Sequence, residues 1–573
     1  MPALPAPPPG WPQKPPGVSL CMIVKNEELF LPQCLESIKG YVDEIIVADT
    51  GSTDRTIEIA KSFGATVIDR PWRNDFAWAR NESLALATKR WILFMDADEE
   101  LVAESRDALM AIKTLPAHEM ALWVRIYNRT DDYLGSGDVS HALIRIFPND
   151  ERIRFRGLIH EYPALEGTEN SIEAVYSDIS IIHHGYVKDV VAMRNKGERN
   201  LAILLEATEQ EPDNPYHWYN LGTTAYLSKN YELARTSLER MREQVGDGSR
   251  AFMPNGLALL ADIYCDRFGD PVRGEELSRE SLKRSPHYAN AHMMLGKTYM
   301  AQKRFDEARE AFAAAIADAP YAKNQFIVDD QVYVWKAQSE MGSSYAAEGD
   351  DASALAWYER GLANAPRVEP LMINRAKVLE RLGRSDESYD AFRSAYETHQ
   401  SVLAMVQYVN FLLRSQRHAE ALALVEDWYP RVKPEEAAEM LVGAAGVSER
   451  CGFGKEEQYL RAAAQLAPDS PQVKERLGRI LSSRARRALD ERRPSDALSA
   501  TDDALALDPR DYDLLMSRAA ALELLASPAG VEASLLRARE VDPVKGAVAL
   551  SMFYLREQRF GEAAAIADGA LKS

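Results

Sequence analysis

Residues 91–100 read WILFMDADEE, an apolar run followed at once by four acidic residues in five positions. The run is short, so it fits a β-strand buried on both faces better than a helix. In open α/β sheets ligands bind at the carboxyl ends of strands, where Asp96 and Asp98 are expected to emerge. If the segment stays extended, side chains alternate with period two and both carboxylates point the same way. Such a pair favours a divalent cation that also holds phosphate oxygens.

A plainer interpretation of the same acids is a capped strand end, followed by a helix that starts at Leu101. We expect Glu99 and Glu100 to lie at a helix start, where the helix dipole favours acidic side chains, rather than to bind metal. The surrounding sequence has to decide between a binding site and a simple cap.

The length and charge of the chain limit what it can be. Its 573 residues exceed a single core, so several domains or a repeat array are expected. A formal charge of −19 argues against a general nucleic-acid binder. Four scattered cysteines indicate neither a disulfide framework nor a zinc site, and favour the cytoplasm. No apolar run is long enough for a transmembrane segment, and proline-rich residues 1–17 are predicted to be a disordered lead-in rather than a secretory signal.

Residues 18–187 alternate short apolar runs with helical stretches, which predicts an α/β domain with a mostly parallel sheet. A flexible loop is expected over residues 133–138. The predicted strands are residues 18–24, 43–48, 65–68, 91–95, 121–127 and 142–147, and one that ends near 183; the predicted helices are residues 25–38, 54–63 and 76–88.

Polar residues collect where these strands end. Lys25, Asn26 and Glu27 follow the first strand, and Asp49 follows the second. The third crossover contributes Asp75, Arg80 and Asn81. This is the layout of a nucleotide pocket at the carboxyl edge of a sheet. G-x-G-x-x-G does not occur, and the single G-K-T, at 296–298, has Ala291 where a P-loop needs its first glycine, so a dinucleotide site and a P-loop are not supported.

Three segments carry a resemblance to a known family: SLCMIVKNE at 19–27, EIIVADTGSTD at 44–54 and FMDADE at 94–99. Their order and spacing resemble the family 2 glycosyltransferases of GT-A fold, a Rossmann-like α/β fold. The resemblance covers about a third of the chain. It implies inverting transfer of a sugar from a nucleotide-sugar donor, here a UDP-sugar, with Mn²⁺ or Mg²⁺ as metal.

The resemblance also implies a donor and a metal site. Asp49 would contact the base, Asp96 the region of the ribose, and Asp98 would be the main metal ligand. The implied donor-binding residues are Val24, Asn26, Glu27, Asp49, Asp75, Arg80 and Asp96, and the implied metal ligands are Asp98, Asp96 and His183 or His184. The alternative for Arg80 is an ion pair on a helix surface. The alternative for His183 and His184 is a buried side chain whose hydrogen bonds are satisfied within the protein.

An inverting transferase needs a general base on the acceptor side. Glu161 is the first candidate and His160 the second. A similar His-Glu occurs in a subset of the family that includes bacteriocin-type peptide S-glycosyltransferases and lipopolysaccharide core glucosyltransferases. The more usual Glu-Asp pair is absent, and a structural ion pair of Glu161 with Arg154 or Arg156 is the alternative.

The rest of the chain has a different texture. Residues 188–213 are predicted to be a helical linker, and residues 214–573 repeat a pattern of small and aromatic residues with a period near 34. The pattern resembles tetratricopeptide (TPR) repeats and predicts an all-α solenoid of about ten helix pairs. Extra length before Trp335 suggests an inserted helix or loop. Such an array offers a concave surface for a peptide or protein.

We therefore predict a bacterial-type cytoplasmic enzyme, a metal-dependent glycosyltransferase whose array recruits the acceptor or a partner. A linked array would raise the effective concentration of a peptide, protein or saccharide acceptor, and it could also mediate self-association. The alternative is a scaffold protein whose transferase domain binds nucleotide but is inert. A third hypothesis is a nucleotidyltransferase, but this sequence lacks the glycine- and lysine-rich phosphate loop that such an enzyme is expected to carry near the first strand.

Overall fold

The computed structural model describes residues 14–73, 75–116, 120–128, 139–157, 159–165, 172–184 and 190–572. Residues 1–13 of the predicted lead-in and the predicted loop at 133–138 lie outside the described residues. Residues 14–17 contact the first domain: Lys14 Nζ donates to Asn149 Oδ1 at 2.9 Å, and Arg90 N donates to Pro15 O at 2.9 Å. The prediction of disorder was therefore wrong for these four residues.

The strands follow the predicted alternation closely in the first half of the domain. They are β1 Val18–Val24, β2 Glu44–Asp49, β3 Thr66–Asp69, β4 Trp91–Phe94, β5 Glu99–Leu101, β6 Ala121–Asn128, β7 Val139–Pro148, β8 Ile153–Arg156, β9 Tyr162–Leu165, β10 Ala174–His183 and β11 Ile327–Asp329.

The main sheet has the order β3-β2-β1-β4-β7-β6-β10-β5, and β11 pairs with β7. Strands β3, β2, β1 and β4 are parallel, as are β6 and β10. β7 runs antiparallel to β4, β6 and β11, and β5 runs antiparallel to β10. The predicted parallel α/β sheet is confirmed for the first four strands, and the second half of the sheet is mixed. β8 and β9 form a separate hairpin.

Four helices accompany these strands, and the three that were predicted with bounds are shorter than predicted. They are α1 Leu31–Ile38, α2 Thr56–Ser62, α3 Phe76–Leu84 and α4 Arg106–Ile112. The first prediction, a helix from residue 25, was wrong because the backbone amides of Asn26, Glu27 and Glu28 donate to side chains of the loop after β2. Their acceptors are Ser52 Oγ, Thr56 Oγ1 and Asp54 Oδ2. Two loops at the sheet edge are thereby tied together.

The helix α3 ends four residues before its predicted end. Thr88 gives its backbone N–H and its hydroxyl to the Glu44 carboxylate, at 2.6 and 2.7 Å. A competing side-chain acceptor of this kind draws the backbone out of the helix.

The array begins with α5, which spans the predicted linker, and continues with twenty further helices among the described residues, the number that ten helix pairs need. The helices are α5 Val190–Gln210, α6 Pro215–Leu227, α7 Tyr231–Val245, α8 Met253–Asp262, α9 Pro271–Arg284, α10 Ala289–Ala301, α11 Phe305–Ala317, α12 Ala337–Glu348, α13 Asp351–Asn364, α14 Glu369–Arg381, α15 Ser385–His399, α16 Val402–Arg414, α17 His418–Trp428, α18 Pro434–Cys451, α19 Glu456–Leu466, α20 Pro471–Asp490, α21 Pro494–Leu507, α22 Tyr512–Leu524, α23 Pro528–Val541, α24 Pro543–Arg556 and α25 Phe560–Lys572.

Small residues let paired helices approach closely, as the repeat pattern predicts. A Cβ at Gly296 of α10 would lie 2.3 Å from the ring of Phe312 on α11. A Cβ at Gly342 of α12 would lie 2.6 Å from the ring of Tyr358 on α13. Only glycine fits these two crossings. Among the described helices, none combines the length and apolarity that crossing a membrane requires.

The chain divides into two compact units, residues 1–391 and 392–573. The first unit contains the sheet domain together with α5 to α14 and the start of α15, and the second contains α16 to α25. The predicted boundaries near 187 and 213 thus lie inside the first unit, in which the sheet domain and the first array helices form one compact body.

Within this first unit, the insertion before Trp335 joins the array to the sheet. Its strand β11 pairs with β7, and Ala142 N donates to Phe326 O at 2.9 Å. The buried Arg125 of β6 donates from Nη2 to Ala322 O and Gln325 O, both at 3.0 Å. A strand of the array region therefore completes the main sheet.

A second contact between the sheet domain and the array is apolar. Ile159, which precedes β9, packs in a buried cluster with Leu204 of α5 and Leu221 of α6, and Phe76 of α3 borders it. Leu204 and Leu221 are almost fully buried. These contacts fix the first array helices beside the loops that follow the strands.

Candidate active site

The strand ends come together as the sequence predicts. Val24 is the register partner of Asp49 across β1 and β2, and Cys21 is the partner of Phe94 across β1 and β4. Side chains that follow these three strands therefore emerge at one edge of the sheet.

A cavity of about 1930 Å³ opens at this edge. Its walls come from the sheet edge, from the β8–β9 hairpin and from the first array helices. Eight of the predicted site residues line it: Val24, Glu27, Arg80, Asp96, Asp98, His160, Glu161 and His183.

Asp96 is held by two arginines. Arg80 Nη2 donates to its Oδ1 at 2.8 Å, and Arg145 Nη2 donates to its Oδ2 at 3.2 Å. Both guanidinium groups lie over the ring of Phe94, with their Cζ atoms 4.7 and 4.4 Å from its centroid. Burial opposes ionisation of Asp96, but the attraction of Arg80 and Arg145 outweighs it and keeps the pKa below its usual range. Asp96 is thus a carboxylate whose two oxygens are both engaged.

The expectation that Asp96 and Asp98 point the same way was wrong. β4 ends at Phe94, and the backbone turns after it instead of staying extended. The period of two therefore does not apply here, and the two carboxylates contact different partners. Asp96 faces Arg80 and Arg145, whereas Asp98 faces His183.

Glu99 does not start a helix. It begins β5, is 2% exposed and accepts a bond from Arg145 Nη2 at 2.5 Å. It also accepts from Asp96 N at 2.9 Å. Burial raises the pKa of Glu99, the attraction of Arg145 opposes this and the charge of Asp96 adds to it, and the pKa is about 7. The helix prediction failed because β5 pairs with β10, a contact that no local pattern encodes.

Glu161 is bonded to Arg80, through Arg80 Nε and Glu161 Oε1. The predicted ion pair of Glu161 with Arg154 or Arg156 was therefore wrong in its partner. Arg154 instead donates to the backbone oxygens of Asp150 and Ile153. Arg80 is buried, so the interpretation of a surface ion pair was also wrong. Arg80 therefore connects Asp96 with the candidate base, Glu161.

His160 is exposed and lines the same cavity. Its φ of 53° lies in the left-handed region, which non-glycine residues adopt at a cost. This backbone conformation places His160 beside Glu161, and the structure brings both candidate bases to one wall.

His183 and His184 have different neighbours. His183 Nε2 lies 3.1 Å from Asp98 Oδ2, and its Nδ1 lies 2.9 Å from Asn128 Oδ1. Burial lowers the pKa of His183, but the bond to Asp98 and its charge raise it more, so the net shift is upward. His184 Nε2 instead lies 3.0 Å from Glu100 Oε2. Among the described residues, no three His, Cys, Asp or Glu side chains gather as a metal-binding group.

The remaining predicted donor residues shape the loops. Asp49 is 2% exposed; its Oδ2 accepts from Gly51 N and Ser52 N at 3.0 Å, and its Oδ1 is buried without a partner among the described residues. Asn26 Oδ1 accepts from Thr53 N at 2.8 Å. Asp75 caps α3 by accepting from Trp78 N.

Sequence reasoning missed Arg145 and placed Glu99 wrongly, and only Arg145 carried a signal. Arg145 lies within the apolar run of a predicted strand, where a charged residue is rarely buried without a partner. Its ion-pair partner, Glu99, lies 46 residues away in the sequence, and only the fold brings the two side chains together.

Sequence reasoning also missed the contribution of the array to the cavity. Tyr216 of α6, Phe252 before α8 and Phe326 before β11 all line it. Burial raises the pKa of the Tyr216 hydroxyl to about 12; a bond to Asn220 opposes this, and the nearby charge of Glu161 adds to it. An aromatic side chain of the array thus lies close to the candidate base.

Comparisons with known proteins agree with this architecture. Residues 19–156 match the family model "Glycosyl transferase family 2", and residues 195–248 and 267–322 match two tetratricopeptide-repeat models. The first repeat match begins inside α5, the helix that was predicted to be a linker.

Two relatives illustrate the similarity. A TPR repeat-containing protein of Synechococcus elongatus is 32% identical over 312 residues, which are 53% of this chain and 76% of that protein. The SPbeta prophage-derived glycosyltransferase SunS of Bacillus subtilis is 29% identical over 228 residues, 39% of this chain. The match spans about half the length of SunS, 53%.

One solved structure also matches part of the chain. A thermophilic TPR protein of Thermus thermophilus is 22% identical and covers 35% of this chain and 100% of that one, with a TM-score of 0.29.

Proposed function

We propose that this chain is an inverting, metal-dependent transferase that uses a UDP-sugar, because its residues 19–156 match the glycosyl transferase family 2 model and are followed by a tetratricopeptide-repeat array. The observation that carries the proposal is that Asp96, Asp98, His183 and Glu161 line one cavity at the carboxyl ends of the strands. Strand ends of this kind are where nucleotide ligands bind.

The donor end fits a nucleotide. Asp49 is not among the lining residues of the cavity, but its Oδ1 is buried without a partner among the described residues and would accept from an N–H of the base. Leaving such a group without a hydrogen bond costs about 1–3 kcal/mol, which a bound base would remove. Asp96, fixed by its two arginines, would accept from the ribose.

Asp98 and His183 are the residues that would hold the metal. Asn128 orients His183: its Nδ2 lies 3.0 Å from His141 Nδ1, which leaves its Oδ1 to accept from His183 Nδ1. The lone pair of a neutral His183 Nε2 then faces Asp98 Oδ2, so the pair needs a positive charge, either a proton or a metal ion. Mg²⁺ binds one or two protein groups plus phosphates, which this pair permits. When bound, the metal would stabilise charge on the leaving diphosphate.

Asp96 and His184, the other implied metal ligands, are less suited to this role. Both oxygens of Asp96 are bonded to arginines, and His184 is paired with Glu100. We therefore assign the metal to Asp98 and His183.

Glu161 is the proposed general base. The acceptor's oxygen or sulfur attacks the anomeric carbon, the bond from that carbon to the diphosphate breaks, UDP leaves, and the acceptor's proton passes to Glu161. Arg80 holds Glu161 Oε1, and Oε2 remains an acceptor because a carboxylate has about four lone-pair sites. His160 is the second candidate. The four unpaired cysteines favour a cytoplasmic location.

Calorimetry of UDP binding, with and without Mn²⁺, tests this proposal. We expect metal-dependent binding in the wild type and its loss in Asp98→Ala and His183→Ala. The matched controls are His184→Ala and Glu100→Gln, neighbours that should bind UDP as the wild type does.

The outcome distinguishes the transferase from the inert scaffold. A wild type that binds none of UDP, GDP or TDP would favour the scaffold. Given binding, Glu161→Gln should lower UDP release in the presence of acceptor by about 100-fold while UDP affinity is kept. If His160→Gln has that effect instead, the base is His160.

A further inference from the structure

The cavity is larger than one nucleotide-sugar requires. Small-ligand pockets typically measure about 300–1,000 Å³, and this cavity has about 1930 Å³. The donor residues occupy the edge of the sheet, so the remaining space lies toward the array.

An aromatic wall bounds that space, and we define it as Trp123, Tyr162, Tyr216, Phe252 and Phe326. All five residues line the cavity. Trp123 and Tyr162 come from the sheet domain, and the other three come from the array. Tyr162 directly follows Glu161, so the wall begins next to the candidate base.

The rings of the wall contact one another in a chain. Tyr216 meets Tyr162 edge to face, with centroids 5.5 Å apart at 89°. Tyr216 also lies 5.4 Å from Phe252. Phe326 meets Trp123 edge to face at 6.1 Å and 88°. Tyr219 of α6 lies behind the wall and links Phe252 to Phe326, at 5.0 and 6.1 Å.

This arrangement favours an apolar partner over a sugar. A pyranose stacks on an open ring face, whereas Tyr216 meets Tyr162 edge to face, stacks against Tyr219 at 6.2 Å and lies beside Phe252. Sugar hydroxyls turned toward the carbon atoms of these five rings would lose their hydrogen bonds to water, and the rings themselves offer only the hydroxyls of Tyr162 and Tyr216 and the indole N–H of Trp123 in exchange. An apolar side chain pays no such penalty and gains from edge contacts with the rings.

We propose that the aromatic wall is the acceptor subsite and that it takes a peptide segment. An apolar or aromatic side chain of the peptide packs on the wall while the residue to be glycosylated reaches Glu161. This inference rests on the proposed function and adds the chemical class of the acceptor. It also gives the first array helices a part in the reaction site itself.

Saturation-transfer NMR on the full chain with UDP present tests the acceptor class. The probes are N-acetyl-Phe-Ser-amide, N-acetyl-Ala-Ser-amide and methyl β-D-glucopyranoside. We expect the phenylalanine dipeptide to bind at least about threefold more tightly than the alanine dipeptide, since an aromatic contact adds that much. The glucoside should not displace it. Equal binding of the two dipeptides, displacement by the glucoside or no binding of either dipeptide would overturn the proposal.

Variants locate the binding to the wall. Phe252→Leu and Phe326→Leu keep apolar bulk, and each should weaken the phenylalanine dipeptide at least about threefold. The control is Phe268→Leu, an array residue that is 42% exposed and does not line the cavity. Wall variants that bind the phenylalanine dipeptide like the wild type would refute the subsite. If one variant misfolds, the comparison of the three probes on the wild type still tests the proposal.

The same samples separate this inference from the proposed function. UDP binding, measured by calorimetry, should be unchanged in both wall variants because neither residue belongs to the donor end. Dipeptide binding without any UDP binding would support the peptide subsite and reject the transferase. UDP binding without a preference for the phenyl ring would support the transferase and reject the peptide subsite.

Discussion

Arg80 and Arg145 hold the site together at the scale of single residues. Together they engage both oxygens of Asp96, and they extend this network to Glu161 on one side and Glu99 on the other. Both arginine side chains are less than one-tenth exposed. Charges buried this deeply are tolerated only in pairs, so losing one member leaves another uncompensated.

Replacing Arg145 by methionine should therefore destabilise the first unit in a pH-dependent way. Glu99 would lose its partner, at a cost of about 3 kcal/mol when it is ionised. In the folded wild type the pKa of Glu99 is about 7, above its ordinary 4.5, and loss of Arg145 raises it further. The folded state then takes up a proton as the pH falls, so the loss of stability should be large at pH 8 and smaller at pH 5.5.

Differential scanning calorimetry at the two pH values measures this effect. The control is the double variant Arg145→Met, Glu99→Gln, in which the extra loss at pH 8 should disappear. An Arg145→Met loss that is the same at both pH values would show that Glu99 is not its cause.

At the scale of elements, helix pairs of the array depend on glycine at their crossings. Gly296 faces Phe312, and an added Cβ would come within 2.3 Å of the ring. Gly296→Ala should therefore lower stability by about 1–3 kcal/mol through overpacking, despite alanine's better helix propensity. Gly443, exposed in the middle of α18 with no atom within 4 Å of an added Cβ, is the matched control.

Gly443→Ala should instead raise stability by up to about 1 kcal/mol, since only the propensity changes. Thermal unfolding followed by circular dichroism compares the two variants. Equal effects of both substitutions would mean that close helix approach does not decide the role of Gly296.

The strand β11 is a second element with a checkable role. Val328 is fully buried and is the register partner of Ser140. Val328→Asp would bury a charge without a partner, which favours detachment of the strand. Hydrogen exchange at Ala142, whose N–H donates to Phe326 O, should then accelerate by at least about tenfold. Val328→Thr keeps the shape of the side chain and should exchange more slowly than the aspartate variant; equal rates would contradict this role for β11.

At the scale of the whole molecule, the first part of the array helps to build the cavity. Its first helices and β11 belong to the same compact unit as the sheet, and the residues that line the cavity all lie between 23 and 326. The second unit, residues 392–573, contributes none of these lining residues.

Two truncations should therefore behave differently. A chain that ends at residue 399, the last residue of α15, should keep UDP affinity within about twofold. A chain that ends at residue 213 loses Tyr216, Phe252, Phe326 and β11, and it exposes apolar surface that the array covers. Soluble yield and UDP calorimetry compare them. A short chain that binds UDP like the full chain would show that the array is not needed to build the cavity.

The sequence alone determined the elements whose signals are local. Apolar runs with polar ends predicted β1, β2 and β4 and the shared edge after them, and the small-aromatic period predicted the helix pairs. These predictions succeed because strand burial and helix packing require particular residue types at fixed short spacings.

Only the tertiary structure decided which charges meet and what closes the cavity. Arg145 reaches Asp96 over 49 residues, and Arg125 reaches Ala322 over 197. Glu99 is a strand residue because β10 lies beside it, and Phe326 lines the cavity because β11 pairs with β7. Pairing over such distances depends on the packing of the whole unit, since no local propensity distinguishes these residues from ordinary surface charges or core aromatics.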